Sequence, residues 1–119
     1  MIQVTSCKQI TCIVPNDGTD RTLLRALRTD VQIIRANSLL VRGLAMPAGA
    51  ILKHEEVPQN VMVRMVTVVV DEEQADQVFD YIYEKANIGR PGGGVVSMSG
   101  SVTATSYSLP EGVPDEEQA

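Results

Sequence analysis

The 119-residue sequence has few aromatic side chains: no Trp, one Phe and three Tyr. Proteins that bind single-stranded nucleic acid stack bases on aromatic rings, so this composition argues against that class. The chain also lacks an excess of positive charge, because 10 Lys and Arg stand against 15 Asp and Glu, for a net charge of −5. General attraction to nucleic acid phosphates or to an anionic membrane surface is therefore not expected.

Cysteines and long apolar runs are scarce as well. Only Cys7 and Cys12 are present, and their odd separation on a strand would place them on opposite faces, which argues against a disulfide or a shared metal. No apolar run approaches the roughly 20 residues that span a bilayer, and the first residues lack the pattern of a signal peptide. We therefore expect a cytoplasmic protein of one domain, since the length and the 44% hydrophobic content suit a single buried core.

The second half of the chain has the clearest secondary-structure pattern. Residues 61–70 are almost continuously apolar, as in a central strand. Asp71 then follows as a predicted helix N-cap, with Gln74 placed to complete a capping box. Apolar residues at spacings of three and four predict an amphipathic helix that ends near Asn87. The stripe consists of Ala75, Val78, Phe79, Ile82, Tyr83 and Ala86.

The first half predicts the complementary elements. Residues 9–15 alternate as a half-buried strand does, residues 19–29 form a short helix with a basic outer face, and residues 31–42 form a second strand. Residues 43–58 contain two Gly and two Pro without a sustained period, which predicts a long loop. Together with a last strand, the order is that of an α+β, ferredoxin-like βαββαβ sandwich with an antiparallel sheet.

A glycine-rich loop, residues 89–94 (GRPGGG), lies between the second helix and the last strand. Bare glycines allow backbone N–H groups to approach phosphate oxygens, and Arg90 can add a bidentate contact. The loop is not a P-loop, because no Lys-Ser/Thr pair follows it and the order is helix, loop, strand. A plain structural turn stays open as the alternative. Beyond the loop, Gly100 suggests a bulge in the last strand, and the acidic residues 110–119 suggest a flexible tail.

The order of elements and the spacing of these residues resemble the PII signalling family. The VVVD at 68–71 and the residues Ala86, Gly89, Arg90, Gly92 and Gly94 fall in step with the family pattern. The resemblance implies a PII-like ferredoxin-fold domain at residues 1–109, in which residues 43–58 form the family's T-loop. It further implies a homotrimer that binds adenine nucleotides in clefts between subunits and docks on a protein partner through the T-loop.

Carried over residue by residue, the resemblance implies two groups of nucleotide-binding residues. The residues expected to bind phosphate are Gly89, Arg90, Gly92, Gly93 and Gly94. The residues expected to bind at the base of the T-loop are Asn37, Ser38, Arg42 and Gly43. Val95 stands where ATP-binding members have Lys, and the last strand has Ser and Thr where they have two Arg. Each lost cation removes contacts of about 1.5–3 kcal/mol, so the sequence favours AMP or ADP over ATP.

Other departures separate the chain from the ordinary nitrogen regulators of that family. The T-loop has no tyrosine to be nucleotidylated, and Pro47 offers no counterpart of the glutamine that helps bind 2-oxoglutarate. Divergent family members, including a carboxysome-associated type, sense bicarbonate together with ADP or AMP, often beside a membrane transporter. The resemblance therefore implies bicarbonate as a second effector, and a membrane transporter or a metabolic enzyme as the protein partner.

Two other function classes compete with the PII-like one. A trimeric metal-tolerance or interaction protein similar to CutA would share the fold without binding nucleotide, but more His, Cys or aromatic residues would be expected. The lone His54 favours solvent contact over metal binding, so no metal site is predicted. An acylphosphatase-like enzyme would have an arginine in residues 15–18, which contain none. No histidine pairs with a Ser or Cys in any predicted element, so no catalysis is expected. Arg64 is compatible with a phosphate or bicarbonate contact, and at least equally with an edge-facing or salt-bridged arginine.

Overall fold

The computed structural model describes residues 2–45 and 59–106. The elements are β1 (Val4–Pro15), α1 (Thr19–Val31), β2 (Ala36–Ala45), β3 (Gln59–Asp71), a 3₁₀ turn (Glu72–Gln74), α2 (Ala75–Lys85), β4 (Val95–Met98) and β5 (Val102–Thr105). The sheet has the order β2-β3-β1-β4, with β5 also paired to β1, and all of these pairs are antiparallel. The predicted ferredoxin-like α+β fold is confirmed. Neither helix in the described ranges is long and apolar enough to cross a membrane.

The hydrophobic core lies between the sheet and the two helices. Alternate residues of β1 and β3 face the helices, as the period of two in a strand requires. They are Ile10, Cys12, Val14, Val66, Val68 and Val70, all nearly inaccessible to solvent. Leu23, Leu27 and Ile82 of the helices are equally buried in the same cluster. Burial of each such aliphatic side chain contributes about 1.5–3 kcal/mol, so this layer is a major source of the favourable hydrophobic free energy of folding.

The opposite face of the sheet, which we call the back face, has a regular order of side chains. One register row across β2, β3, β1 and β4 is apolar and consists of Leu39, Met65, Ile13 and Val95. The next row is polar and consists of Asn37, Thr67, Thr11 and Ser97. The two ends of the apolar row are the most open, because Leu39 is 56% exposed and Val95 is 57% exposed.

Several predicted boundaries are wrong. Residues 31–34 do not begin a strand: α1 continues to Val31 and ends with Gln32 in the left-handed region (φ 54°). β2 begins only at Ala36 and includes residues 43–45, which were predicted to be loop. The remainder of the predicted T-loop and the tail at 110–119 lie outside the described residues.

The predicted capping box of α2 is also wrong. Asp71 caps the 3₁₀ turn that precedes α2, and its side chain makes no capping hydrogen bond. The Asp71 carboxylate instead lies 3.8 Å from the Nη2 of Arg35. The apolar stripe of α2 is confirmed at Ala75, Val78, Ile82 and Ala86, which are buried, and at Phe79, which packs against the core. The prediction is wrong at Tyr83, which is 43% exposed, and Tyr81 packs against the core instead.

The last strand is divided in two, where the sequence predicted one strand with a bulge at Gly100. β4 pairs with residues 10–13 of β1, and β5 pairs with residues 4–7. Ser99 holds the junction, since its N–H donates to the carbonyl of Gln9 and its hydroxyl accepts from the N–H of Gln9, both at 2.9 Å. The break at Gly100 therefore separates two strands on the same side of β1.

The two thiols differ in their surroundings. Cys12 belongs to the core cluster, and burial raises its pKa from 9.0 to about 11. Cys7 is buried outside that cluster, with its Sγ 3.2 Å from the Oγ1 of Thr5.

We predict that Cys12 resists thiol reagents in the folded protein. In a Cys7→Ser variant at pH 8, the raised pKa leaves almost no Cys12 thiolate, whereas the unfolded chain has a pKa nearer 9 and reacts readily. Labelling with 5,5′-dithiobis(2-nitrobenzoate), with and without urea, measures the difference. We expect native labelling to be at least a hundredfold slower, and equal rates would contradict the packing described for Cys12.

Candidate functional site

The loop at residues 89–94 begins from a well-defined helix end. Asn87 follows α2 in the left-handed region (φ 53°), the N–H of Ile88 donates to the carbonyl of Tyr83 (3.1 Å), and the N–H of Asn87 donates to the carbonyl of Glu84 (3.1 Å). These two bonds define a Schellman motif, in which Ile88 is buried. The start of the loop is therefore fixed by backbone hydrogen bonds and by the core.

Arg90 lies at the first position of a tight turn. Its carbonyl accepts from the N–H of Gly93 at 2.9 Å, Pro91 follows it, and Gly92 has a φ of 71°. Proline at the second position and a glycine with positive φ at the third are the signature of a type II turn. The turn holds the Arg90 backbone in one conformation, so its side chain extends from a defined base.

The glycines of the loop have different structural roles. A Cβ on Gly94 (φ 102°) would lie 1.8 Å from the carbonyl oxygen of Ile13, so the loop can approach β1 only because Gly94 has no side chain. A Cβ on the buried Gly93 would lie 2.6 Å from the carbonyl oxygen of Asn87. Nothing lies within 4 Å of the corresponding point at Gly92, which is exposed. Gly93 and Gly94 are therefore needed for packing, while Gly92 leaves an open backbone surface.

The guanidinium of Arg90 contacts the turn that joins β1 to α1. Its Nη2 lies 3.2 Å from the Oδ2 of Asp17 and donates to the Oγ1 of Thr19, also at 3.2 Å. Beside these groups is an open cleft of about 400 Å³, which we call the Arg90 cleft. It is lined by Asp17, Gly18, Thr19, Thr22, Lys85, Ala86, Asn87 and Arg90. Two cations, one carboxylate and two hydroxyl groups make this cleft polar and suited to an anion.

The Asp17 carboxylate also organises the start of α1. Its Oδ1 accepts hydrogen bonds from the backbone N–H (3.1 Å) and the hydroxyl of Thr19. These bonds, with a smaller contribution from Arg90, lower the pKa of Asp17 below its ordinary value. The carboxylate is therefore charged at neutral pH. The ion pair with Arg90 is about half exposed, so its contribution to stability is modest.

A second polar network extends from the start of α1 toward the β2 edge of the sheet. Asp20, in the first turn of α1, accepts from the hydroxyl of Ser38 at 2.7 Å. Its Oδ2 also lies 3.7 Å from the Nε of Arg64, which donates to the Oδ1 of Asn16 at 3.3 Å. Of the two alternatives for Arg64, an anion contact or a salt bridge, the structure therefore shows the salt bridge. Ser38 was predicted to bind the nucleotide, but its hydroxyl donates a hydrogen bond to Asp20 within the subunit.

The other predicted residues at the base of the T-loop lie far from the glycine loop within one subunit. Asn37, Arg42 and Gly43 are on β2, at one edge of the sheet, while residues 89–94 lead into β4, at the other edge. Three strand spacings separate the two edges, which is about 14 Å. The structure therefore brings the predicted phosphate residues together but leaves these three apart from them in one chain.

Sequence reasoning missed Asp17, Thr19 and Lys85 as neighbours of Arg90. Residues 15–18 between β1 and α1 contain no arginine of their own, so their local sequence does not indicate an anion site. The fold supplies Arg64 and Arg90 to that turn from β3 and from the glycine loop. Among residues 2–45 and 59–106, no cluster of His, Cys, Asp and Glu could hold a metal ion, and His54 lies outside those ranges.

Comparison with known proteins yields structural likeness without sequence matches. No protein-family model and no curated protein matches the sequence. Among solved structures, the fold is similar to Arabidopsis thaliana PII bound to citrate, with a TM-score of 0.59 and 21% identity over 79% of this chain and 76% of that one. It is also similar to the GlnK–ATP complex of B. subtilis, with a TM-score of 0.60 and 12% identity over 82% of this chain and 84% of that one. At these identities the likeness shows that the fold is shared.

We predict a graded effect of alanine at two positions of the loop. Gly92→Ala places a Cβ in open space at positive φ and should lower the free energy of unfolding by about 1–2 kcal/mol. Gly94→Ala adds a clash with the β1 backbone and should lower it by roughly 3–5 kcal/mol. Urea denaturation followed by circular dichroism measures both variants. Equal losses would contradict the close approach of Gly94 to Ile13.

Proposed function

We propose that the protein is a cytoplasmic, PII-like signalling regulator, and not an enzyme, that binds an adenine nucleotide between the subunits of a homotrimer. The position of Arg90 carries the proposal: a type II turn fixes its backbone, and its guanidinium borders an open polar cleft. Lys85 lines the same cleft and adds a second cation for phosphate oxygens. The likeness in fold to a protein solved with ATP supports a nucleotide as the ligand.

The division of the predicted ligand residues between two sheet edges supports a site between subunits. Gly89, Arg90 and Gly92 lie at one edge, and Asn37, Arg42 and Gly43 lie at the other. By register, Arg42 and Gly43 are near the same end of the sheet as the glycine loop, since Val41, Val63 and Pro15 form one row next to Gly94. Asn37 lies further along β2, in the row of Thr67 and Thr11. A second copy that brings its β2 edge beside the glycine loop would complete the site. Ligand binding would then join two subunits.

The back face supports a homotrimer. The apolar row of Leu39, Met65, Ile13 and Val95 is open to solvent at both ends in the single chain. Burial of this row against further copies would remove apolar surface from water at about 25 cal/mol per Å². In a trimer, two other copies of this chain would cover the row. The helices would then lie on the outside, and the glycine loops would lie at the boundaries between subunits.

The charge available near the loop supports AMP or ADP over ATP. Residues 95–106 contain neither Lys nor Arg. Arg90 and Lys85 are the cations that line the described cleft, and they can offset a small phosphate charge better than that of a triphosphate. Bicarbonate is proposed as a second effector. The conformation of residues 43–58 would report ligand binding to a membrane transporter or a metabolic enzyme, because a ligand shifts loop conformers by its different affinities for them.

Titration calorimetry with AMP, ADP and ATP, each with and without bicarbonate, tests the ligand. We expect micromolar binding of AMP or ADP, weaker binding of ATP, and about a tenfold or greater loss in Arg90→Ala from the missing charged hydrogen bonds. Arg21→Ala removes the same charge from an exposed position outside the cleft and should bind normally. If no adenylate binds, the loop is a structural turn and an interaction protein similar to CutA becomes the better interpretation.

Sedimentation velocity tests the assembly. The wild-type protein should sediment as three chains of 12.9 kDa each. Leu39→Glu places a charge in the apolar row and should shift the protein to monomer, because a buried unpaired carboxylate is strongly unfavourable. Leu40→Glu is the matched control, since Leu40 is 43% exposed on the other face of the same strand. Dissociation by Leu40→Glu but not by Leu39→Glu would rule out the back face as the interface.

A further inference from the structure

The Nη2 of Arg90 is occupied within the subunit. A guanidinium Nη2 has two N–H groups, and here their partners are the Asp17 carboxylate and the Thr19 hydroxyl, each at 3.2 Å. The Thr19 hydroxyl can accept this bond because its own proton is donated to the Oδ1 of Asp17. Asp17 therefore holds Arg90 both directly and through Thr19.

This arrangement limits what Arg90 can offer to a phosphate. A guanidinium presents two parallel N–H groups either end-on, through Nη1 and Nη2, or side-on, through Nε and Nη2. Each geometry uses one of the two Nη2 N–H groups, so a bidentate contact requires that Nη2 give up its bond to Asp17 or its bond to Thr19. The carboxylate of Asp17 also lines the Arg90 cleft, where it repels each negative charge that enters.

We propose that Asp17 determines affinity and phosphate number at this site, because its carboxylate competes with the ligand for Arg90 and opposes each additional phosphate charge. The inference rests on the proposed function, since it concerns the adenylate site. It assigns a specificity-determining role to a residue of the β1–α1 turn, outside both groups of predicted ligand residues. Residues 95–106 contain no Lys or Arg. This lack of cations and the carboxylate of Asp17 both favour ligands with few phosphates.

Asp17→Asn removes the negative charge at this position while keeping the hydrogen bonds that start α1. The amide oxygen of Asn still accepts from the N–H and hydroxyl of Thr19, so the start of α1 is kept. The amide nitrogen cannot accept from Arg90, which frees the Nη2 N–H that Asp17 held, while the bond from Nη2 to Thr19 is kept. Asp17→Ser, with a smaller acceptor for the Thr19 N–H, is the second variant. Asp76→Asn is the matched control, because it removes one negative charge at an exposed position of α2 outside the cleft.

Calorimetric titration of these variants with AMP, ADP and ATP tests the proposal. Asp17→Asn should bind more tightly than wild type, with a gain that rises with phosphate number to about fivefold for ATP, the range of an exposed ion pair. Asp76→Asn should stay within twofold of wild type. In an Arg90→Ala background the gain from Asp17→Asn should shrink, which a double-mutant cycle measures.

The outcomes separate this inference from the proposed function. If wild type binds an adenylate and Arg90→Ala weakens it, but neither Asp17 variant gains affinity, the site stands and the role of Asp17 is overturned. A gain that is equal for all three nucleotides overturns the part concerning phosphate number. If neither wild type nor the Asp17 variants bind any adenylate, the proposed function falls and this inference falls with it.

Discussion

The hydrogen-bonded ladder of β1 is the interaction on which the rest of the structure depends. β1 pairs with β3 along residues 7–15 on one side, and with β4 and β5 on the other. Its alternate side chains form the floor of the core beneath both helices. Its far end leads into the turn that contacts Arg90, and the carbonyl of Ile13 meets Gly94. The candidate site is therefore built on the end of the central strand.

Much of the fold could be predicted because its strongest signals are local. The apolar stripe of α2 and the apolar run of β3 each specify one element by period and burial. The boundary of α1 could not be predicted, since three of the four residues 31–34 are apolar and resemble a strand, and the helix ends at Gln32 without the usual glycine. Gly100 indicated an irregularity in the last strand, but its division into β4 and β5 depends on tertiary pairing with β1.

The candidate site, like the fold, could be predicted from the sequence only in part. Arg90 and the glycines around it were predicted from their order in the chain, and the structure confirms that they form one compact loop. Their neighbour Asp17 is 73 positions from Arg90, so only the adjacency of β1 and β4 brings the two together. The glycine pattern by itself also could not show that Gly93 and Gly94 serve packing, whereas Gly92 leaves its backbone open.

The first turn of α1 belongs to two polar networks. Asp17 and Thr19 connect it to Arg90 at the β4 edge, and Asp20 connects it to Ser38 of β2 and Arg64 of β3. β2 continues directly toward residues 46–58. A displacement of this one helical turn therefore changes hydrogen-bond geometry at both edges of the sheet at once. Within a single subunit, side-chain contacts thus connect the start of α1 both to the arginine loop and to the strand that leads into the long connection.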